Sequence, residues 1–377
     1  MEYSQYSQVS PQWTKVRCTS LCHFAMFSQL TDPAPQFVSR HDQLGDLDKV
    51  GIVERRRVFG EVEATLPLKK IPADVDESSV SVKTFTVTAR DGHEIPVRSY
   101  IPASAATTPA NSRPLLVYLH AGGFLFGDLE SGHLNCTVLA ARLNISVLNV
   151  GYRLAPQWLF PHGFNDSYDA VEWAAAHAAS HLNASPAAGF LVGGISSGAN
   201  FAGAIAYAAR DANLSPPITG LFLSIPVCIL PQAYHLLPQE QRDQLLSLEQ
   251  NAENPLLTKK SLSDIQDFVV IYGSPPEDKR VSFLLNDDHT SLPKRAYFQI
   301  CGRDPLRDEA FLWQKLLQEY SGTKSKIDMY TGMPHGFWRF LDMQASHEWL
   351  DDLVVGVGSL FRPEGGVGET EMVVKGV

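Results

Sequence analysis

At 377 residues with 44% hydrophobic content, the chain is long enough for a large buried interior and longer than a minimal catalytic domain. Its formal net charge of −10 argues against nucleic acid or an anionic membrane surface as a partner, since both recruit basic faces. Five cysteines, few and odd in number, favour reduced, buried thiols over a disulfide framework.

The opening Met1-Glu2-Tyr3-Ser4-Gln5 is polar and lacks the basic start of a secretory leader, and the apolar stretch Leu21 to Phe27 is short and contains His23. No run is long enough to span a bilayer. These features lead us to expect a cytoplasmic protein without integral membrane association, and to read the sequons at Asn135, Asn144 and Asn183 as chance. Residues 1 to about 35 read as loosely structured, with Asp32-Pro33-Ala34-Pro35 as a breaker. Cys18, Cys22 and His23 lie close together, but no further ligands follow at metal spacing, so no metal is expected. Residues 36–79 are polar and charged.

Two strands, Val80 to Thr88 and Glu94 to Tyr100, are joined through Asp91-Gly92, a strong hairpin signal. From Pro114 onward, apolar runs alternate with helical stretches, the pattern of a parallel sheet with crossover helices. Strands are predicted at 115–119, 145–150, 189–193, 220–226, 296–300 and 326–330. The interval 227–293 breaks this rhythm with Pro231, Pro238, Pro255, Pro275 and Pro276; so long an insertion reads as the second half of a lid, the alternative being a variable surface excursion. After Arg362, Pro363-Glu364-Gly365-Gly366 predicts a flexible tail. The resulting division is an N-terminal segment (1–79), a core in two parts (80–226 and 294–362), the insertion (227–293) and the tail (363–377). No P-loop or dinucleotide fingerprint is present, and no cofactor is expected.

Chemistry concentrates at the ends of the predicted strands. Gly194-Ile195-Ser196-Ser197-Gly198 follows the run Phe190-Leu191-Val192 and precedes a small-residue helix, which is the strand-turn-helix setting of a nucleophile elbow. A Cβ at position 194 or 198 would obstruct strand and helix where they pass the turn. A serine needs a base, an orienting carboxylate and a trap for the oxyanion. Asp304 leaves the 296–300 strand at its carboxyl end, where catalytic groups of parallel sheets collect. The nearby Asp308 and Glu309 open the next helix, and its dipole is sufficient reason for them. His335, between Pro334 and Gly336 after the 326–330 strand, is the predicted base. His120-Ala121-Gly122-Gly123-Phe124 ends the 115–119 strand and reads as an oxyanion loop, with donors on the amides of Gly122, Gly123 and Ser197. Phe124, Phe126 and Phe337 are the expected lining of an apolar substrate pocket.

Together, the 120–124 loop, His133 with Cys136, Tyr152-Arg153-Leu154-Ala155-Pro156, Phe160-Pro161, the elbow, Asp304-Pro305-Leu306-Arg307-Asp308-Glu309 and Pro334-His335-Gly336-Phe337 resemble the α/β-hydrolase carboxylesterases of the hormone-sensitive-lipase type. The resemblance runs over about residues 80 to 360. It implies an α/β-hydrolase fold, a mostly parallel central sheet flanked by helices, with helical cap material in 36–79. It also implies a triad of Ser196, Asp304 and His335 acting on a small-molecule ester. The chain departs from the family pattern at Ala121, at Ile195 and Ser197 in the elbow, and at Gln157; no catalytic atom is removed by these changes. The implied activity is hydrolysis of neutral, modest-sized carboxylic esters through an acyl-serine. A secondary-metabolite hydrolase or thioesterase/acyltransferase is the nearest alternative. A non-catalytic small-molecule receptor of the same fold is disfavoured, because His335 is retained.

Overall fold

Apolar β-branched and aromatic runs assemble into one nine-stranded sheet of order β1-β2-β4-β3-β5-β6-β7-β8-β9. The computed structural model describes residues 3–16, 71–103, 112–254, 256–263, 275–340, 343–361 and 369–375. Cys18, Cys22, His23 and the stretch expected to hold cap helices lie outside these residues.

Strands β1 (Val80–Thr88) and β2 (Glu94–Pro102) form the expected hairpin, turning where Gly92 takes φ +83°. β2 also pairs antiparallel with β4 (Ser146–Val150). From there β4, β3 (Leu115–Leu119), β5 (Phe190–Ile195), β6 (Gly220–Ser224), β7 (Arg295–Cys301) and β8 (Lys324–Tyr330) are all parallel. Residues on β3 to β6 are buried along their whole length, as expected of strands covered on both faces. One buried cluster, with Val117, Val192, Phe201 and Phe298, and a second, with Leu116, Leu191, Phe222 and Tyr297, take alternate residues of the strands and so occupy opposite faces of the sheet.

Among the described residues the α-helices are α1 (Pro11–Val16), α2 (His133–Leu143), α3 (His162–Leu182), α4 (Ser197–Asp211), α5 (Gln239–Arg242), α6 (Ser247–Gln250), α7 (Arg307–Ser321) and α8 (Gln344–Ser359). Asn144 and Asn183, which head two of the sequons, end α2 and α3 in the left-handed conformation, a local role that asparagine fills well. No helix among the described residues is long and apolar enough to cross a membrane. Cys136, Cys228 and Cys301 are free and buried.

Two expectations are corrected. The tail was expected to be flexible, yet Glu371–Lys375 form a further strand, β9, parallel to β8. Lys375 ties it down, with Nζ 2.7 Å from Asp352 Oδ1 and 3.8 Å from the buried Asp328. The first residues are not loose throughout: Ser4–Ser7 form a 3-10 turn, and Trp13 is fully buried with its ring 5.1 Å from that of Phe340. A few large aromatic side chains supply enough buried area to fix a short segment of otherwise polar sequence.

Candidate active site

Because β3, β5, β7 and β8 run in one direction, the loops that follow them emerge at the same edge of the sheet. That single fact brings residues from 120 to 335 into one neighbourhood. Ser196 sits at the apex between β5 and α4 with φ 54° and ψ −115°, a backbone state that non-glycine residues rarely adopt. Its amide donates to Ser224 O (2.8 Å), and its carbonyl accepts from Asn200 N (2.9 Å). A Cβ on Gly194 would overlap Leu119 O, and one on Gly198 would overlap both Leu119 O and His120 O. The steric expectation for the elbow glycines therefore has a physical partner, the end of β3.

His335 Nε2 lies 3.1 Å from Ser196 Oγ, and its Nδ1 lies 2.7 Å from Asp304 Oδ2. Asp304 is 1% exposed, and its other oxygen accepts Leu306 N at 2.9 Å. The carboxylate is thus oriented by a local turn at the mouth of α7. Nδ1, facing the carboxylate, carries the ring proton in this arrangement, which leaves the Nε2 lone pair toward the serine.

The loop after β3 folds back on itself: Leu125 N (3.1 Å) and Phe126 N (2.9 Å) both donate to Gly122 O. Gly122 has φ +141° and Gly123 φ +60°, and a Cβ on Gly122 would overlap Phe126 O. Only glycine suits that first position. Behind the loop, His120 is buried, and burial lowers its pKa to about 4, against a smaller opposing effect of its bond to Ala121 O. Its Nδ1 is 2.8 Å from Ala121 O, so the neutral ring donates there. Tyr152 stacks on this ring at 4.1 Å and donates its hydroxyl to His120 O at 2.7 Å. The guanidinium of the next residue, Arg153, is held by Asp166 (2.6 Å) and Asp91 (2.8 Å).

Of the three phenylalanines expected in the pocket, Phe337 is corrected. It has no exposed surface, and its ring packs 5.0 Å from Tyr330 and 5.5 Å from Trp338 in the core beneath the His335 loop. Phe124 is almost buried against Phe201, whereas Phe126 is half-buried. The helix-dipole explanation of Asp308 and Glu309 is also insufficient, since both are buried and bonded to the insertion. Asp308 Oδ2 accepts Leu246 N (2.9 Å) and Ser247 N (2.7 Å). Glu309 Oε2 accepts Cys228 N (2.8 Å) and Ile229 N (3.2 Å), and Oε1 accepts the Tyr234 hydroxyl (2.5 Å). Burial pushes the Glu309 carboxyl up to about 8, with those three donors opposing the shift.

Sequence reading missed further residues around the site. Asn200 Nδ2 donates to Val227 O (2.8 Å) and Val281 O (2.7 Å), tying the elbow helix to both ends of the insertion. Asn251 Nδ2 donates to Asp304 O at 3.1 Å, Ser247 Oγ to Pro305 O at 2.7 Å, and Asn254 Nδ2 to Arg303 O. The polar residues of a proline-rich stretch carry no periodic signal that could have announced these bonds. Among the described residues, no group of three or more His, Cys, Asp or Glu side chains is placed to hold a metal.

A family model described as alpha/beta hydrolase fold matches residues 116–339. An AB hydrolase superfamily protein of Schizosaccharomyces pombe is 31% identical over 327 residues, covering 86% of this chain and 92% of that protein. The versiconal hemiacetal acetate esterase of Dothistroma septosporum is 30% identical over 246 residues, 65% of this chain and 73% of its own. Among solved structures, vibralactone cyclase superposes with a TM-score of 0.76 at 28% identity, covering 95% of this chain and 96% of that one. With the sheet order, the elbow and these relatives in view, the chain belongs to the α/β-hydrolase fold family of the hormone-sensitive-lipase type and is an esterase-type hydrolase.

Proposed function

We propose that the protein hydrolyses neutral, modest-sized carboxylic esters through an acyl-serine intermediate, with Ser196 as nucleophile, His335 as base and Asp304 as its orienting carboxylate. Ser196 Oγ attacks the ester carbonyl carbon while its proton passes to His335 Nε2. Asp304 stabilises the imidazolium that forms. The oxyanion is held by the amides of Gly122, Gly123 and Ser197, a contribution on the order of 10²–10³ in kcat per donor. The imidazolium then protonates the departing alkoxide, leaving the acyl-serine. Water repeats the attack with His335 again accepting a proton, and the carboxylic acid leaves as Ser196 regains its hydrogen. Phe124 and Phe126 are the residues we assign to the acyl side of the pocket.

The observation that carries this reading is the unbroken hydrogen-bond chain from Asp304 through His335 to Ser196, at 2.7 and 3.1 Å. Its test is Ser196→Ala: p-nitrophenyl acetate turnover and labelling by a fluorophosphonate are expected to vanish while the melting temperature stays close to that of the parent. Retained turnover in a folded variant overturns the nucleophile assignment. A role in secondary metabolism, releasing or trimming an ester or thioester of a pathway intermediate, is a second reading supported by the likeness to the versiconal hemiacetal acetate esterase. Comparing matched oxygen esters and thioesters tests its thioester form: faster thioester turnover favours that form over a carboxylesterase.

A further inference from the structure

Three loops or segments meet where Asp304 and His335 are presented, and one of them comes from the far end of the chain. Tyr6 O accepts Gly332 N at 2.8 Å, and Ser10 N donates back to Gly332 O at 3.3 Å. Ser7 Oγ donates to Gly302 O at 3.2 Å and accepts Arg307 Nη1 at 2.5 Å. Tyr3 stacks on Phe311 of α7 with ring centroids 3.9 Å apart. Tyr3–Ser10 therefore grip the acid loop two residues before Asp304 and the base loop three residues before His335. The closeness of fit is visible in the glycines: a Cβ on Gly302 would overlap Tyr6 O, and one on Gly332 would overlap Gln8 O. The two loops also touch each other, through Arg303 N to Met333 O at 2.9 Å. A second main-chain bond, Gly302 N to Tyr330 O at 2.9 Å, lies beside it at the strand end, and the N-terminal segment binds both loops just beyond these two bonds.

We infer that residues 3–10 are a positioning strap, which sets the separation of Asp304 and His335 by binding Gly302 and Gly332 at once. The inference rests on the triad assignment of the preceding subsection. Its residues act through the loops and touch neither substrate nor reacting atoms. Displacing a reacting geometry by about 1 Å costs on the order of 10²-fold in rate, so a loosened strap acts mainly on kcat. We assign the strap no substrate contact, so KM should change little.

The test is a chain lacking residues 1–10, compared with the full chain on p-nitrophenyl butyrate. We expect kcat to fall roughly 10- to 100-fold with KM within about twofold. The far-downfield proton NMR resonance of the His335 Nδ1–H facing Asp304 should broaden or disappear. A synthetic peptide of residues 2–13, added in trans, should restore both kcat and the resonance. It should fail to do so when the truncated chain also carries Gly302→Ala, because the new Cβ occupies the place of the Tyr6 carbonyl. A truncated chain with parental kcat and an unchanged resonance overturns the proposal, as does a loss of kcat that leaves the resonance intact. If the truncated chain does not fold, Ser7→Ala in the full chain decides the matter: a severalfold loss of kcat with a weakened resonance supports the strap, and unchanged values of both reject it. A parental Ser196→Ala control that remains active would overturn the triad itself and is read separately.

Discussion

Ser196 occupies a strained backbone state, φ 54° and ψ −115°, and such states typically store about 1–3 kcal/mol that the surroundings must hold. Here the restraint comes from the two bonds of its own peptide groups and from glycines that let the end of β3 press against the turn. Gly198→Ala should therefore be among the more damaging single-methyl changes in the chain. The atoms in its way are main-chain carbonyls, which cannot swing aside. We expect a loss of about 2 kcal/mol or more in denaturant unfolding, together with a fall in kcat, since moving the His120 carbonyl from its bond with Tyr152 disturbs the 120–124 loop to which we assign the oxyanion donors. Asp304→Asn is the complementary change. Its Oδ1 can still accept Leu306 N, so the melting temperature should hold while kcat drops by about 10⁴, because the amide favours the wrong imidazole tautomer. At this scale the sequence indicated which residues would meet wherever that follows from a place after an apolar run, as for Ser196, Asp304 and His335, which lie within hydrogen-bond reach of one another. It misled at Phe337, where a large apolar residue beside a reactive one serves the core, and side-chain direction is not written in the spacing.

Each of the four consecutive carbonyls from Gly302 to Pro305 accepts a side-chain donor, from Ser7, Asn254, Asn251 and Ser247 in turn. An acid loop held in this way depends on elements that are distant in sequence. The insertion is fastened from the other side as well, by Glu309 at Cys228, Ile229 and Tyr234. With its folded-state pKa raised to about 8, Glu309 binds a proton more tightly in the folded chain than in the unfolded one. Its contribution to stability is then complete below the unfolded value near 4.5 and is lost as pH rises toward 8. Glu309→Gln removes the titrating group while keeping an acceptor for the backbone amides. The difference in melting temperature between variant and parent should consequently move in the variant's favour from pH 5 to pH 8. A difference that stays flat across that range would contradict the raised value. The strands were legible because burial on both faces leaves continuous apolar runs. The ties between insertion and core were not, since Asn251, Asn254 and Glu309 look like ordinary surface residues until a partner is present.

Seen as a whole, the sheet ends in a strand that composition concealed. Glycines in 363–368 suggested a tail, but the five residues of β9 reach β8 and cover its hydrogen-bonding edge. Met372 and Val374 remain 41% and 47% exposed, so the strand gains little from burial, and its pairing and the Lys375 contacts to Asp352 and Asp328 hold it. Removing residues 369–377 should leave β8 as an open edge. We expect a lower melting temperature and concentration-dependent association by light scattering, with kcat at low concentration largely kept. Short edge strands carry too few residues for a periodic signal, which is why this one escaped sequence reading.

The contact between Ser7 and Gly302 joins positions 295 residues apart. During synthesis at about 5–20 residues per second, the first of these waits on the order of 15–60 s for its partner to be made. On the proposal that residues 3–10 align the assigned acid and base, that alignment waits until residues 302 and 332 have been made and have left the ribosome; hydrolytic power arrives only after this late docking, and shorter nascent chains lack it.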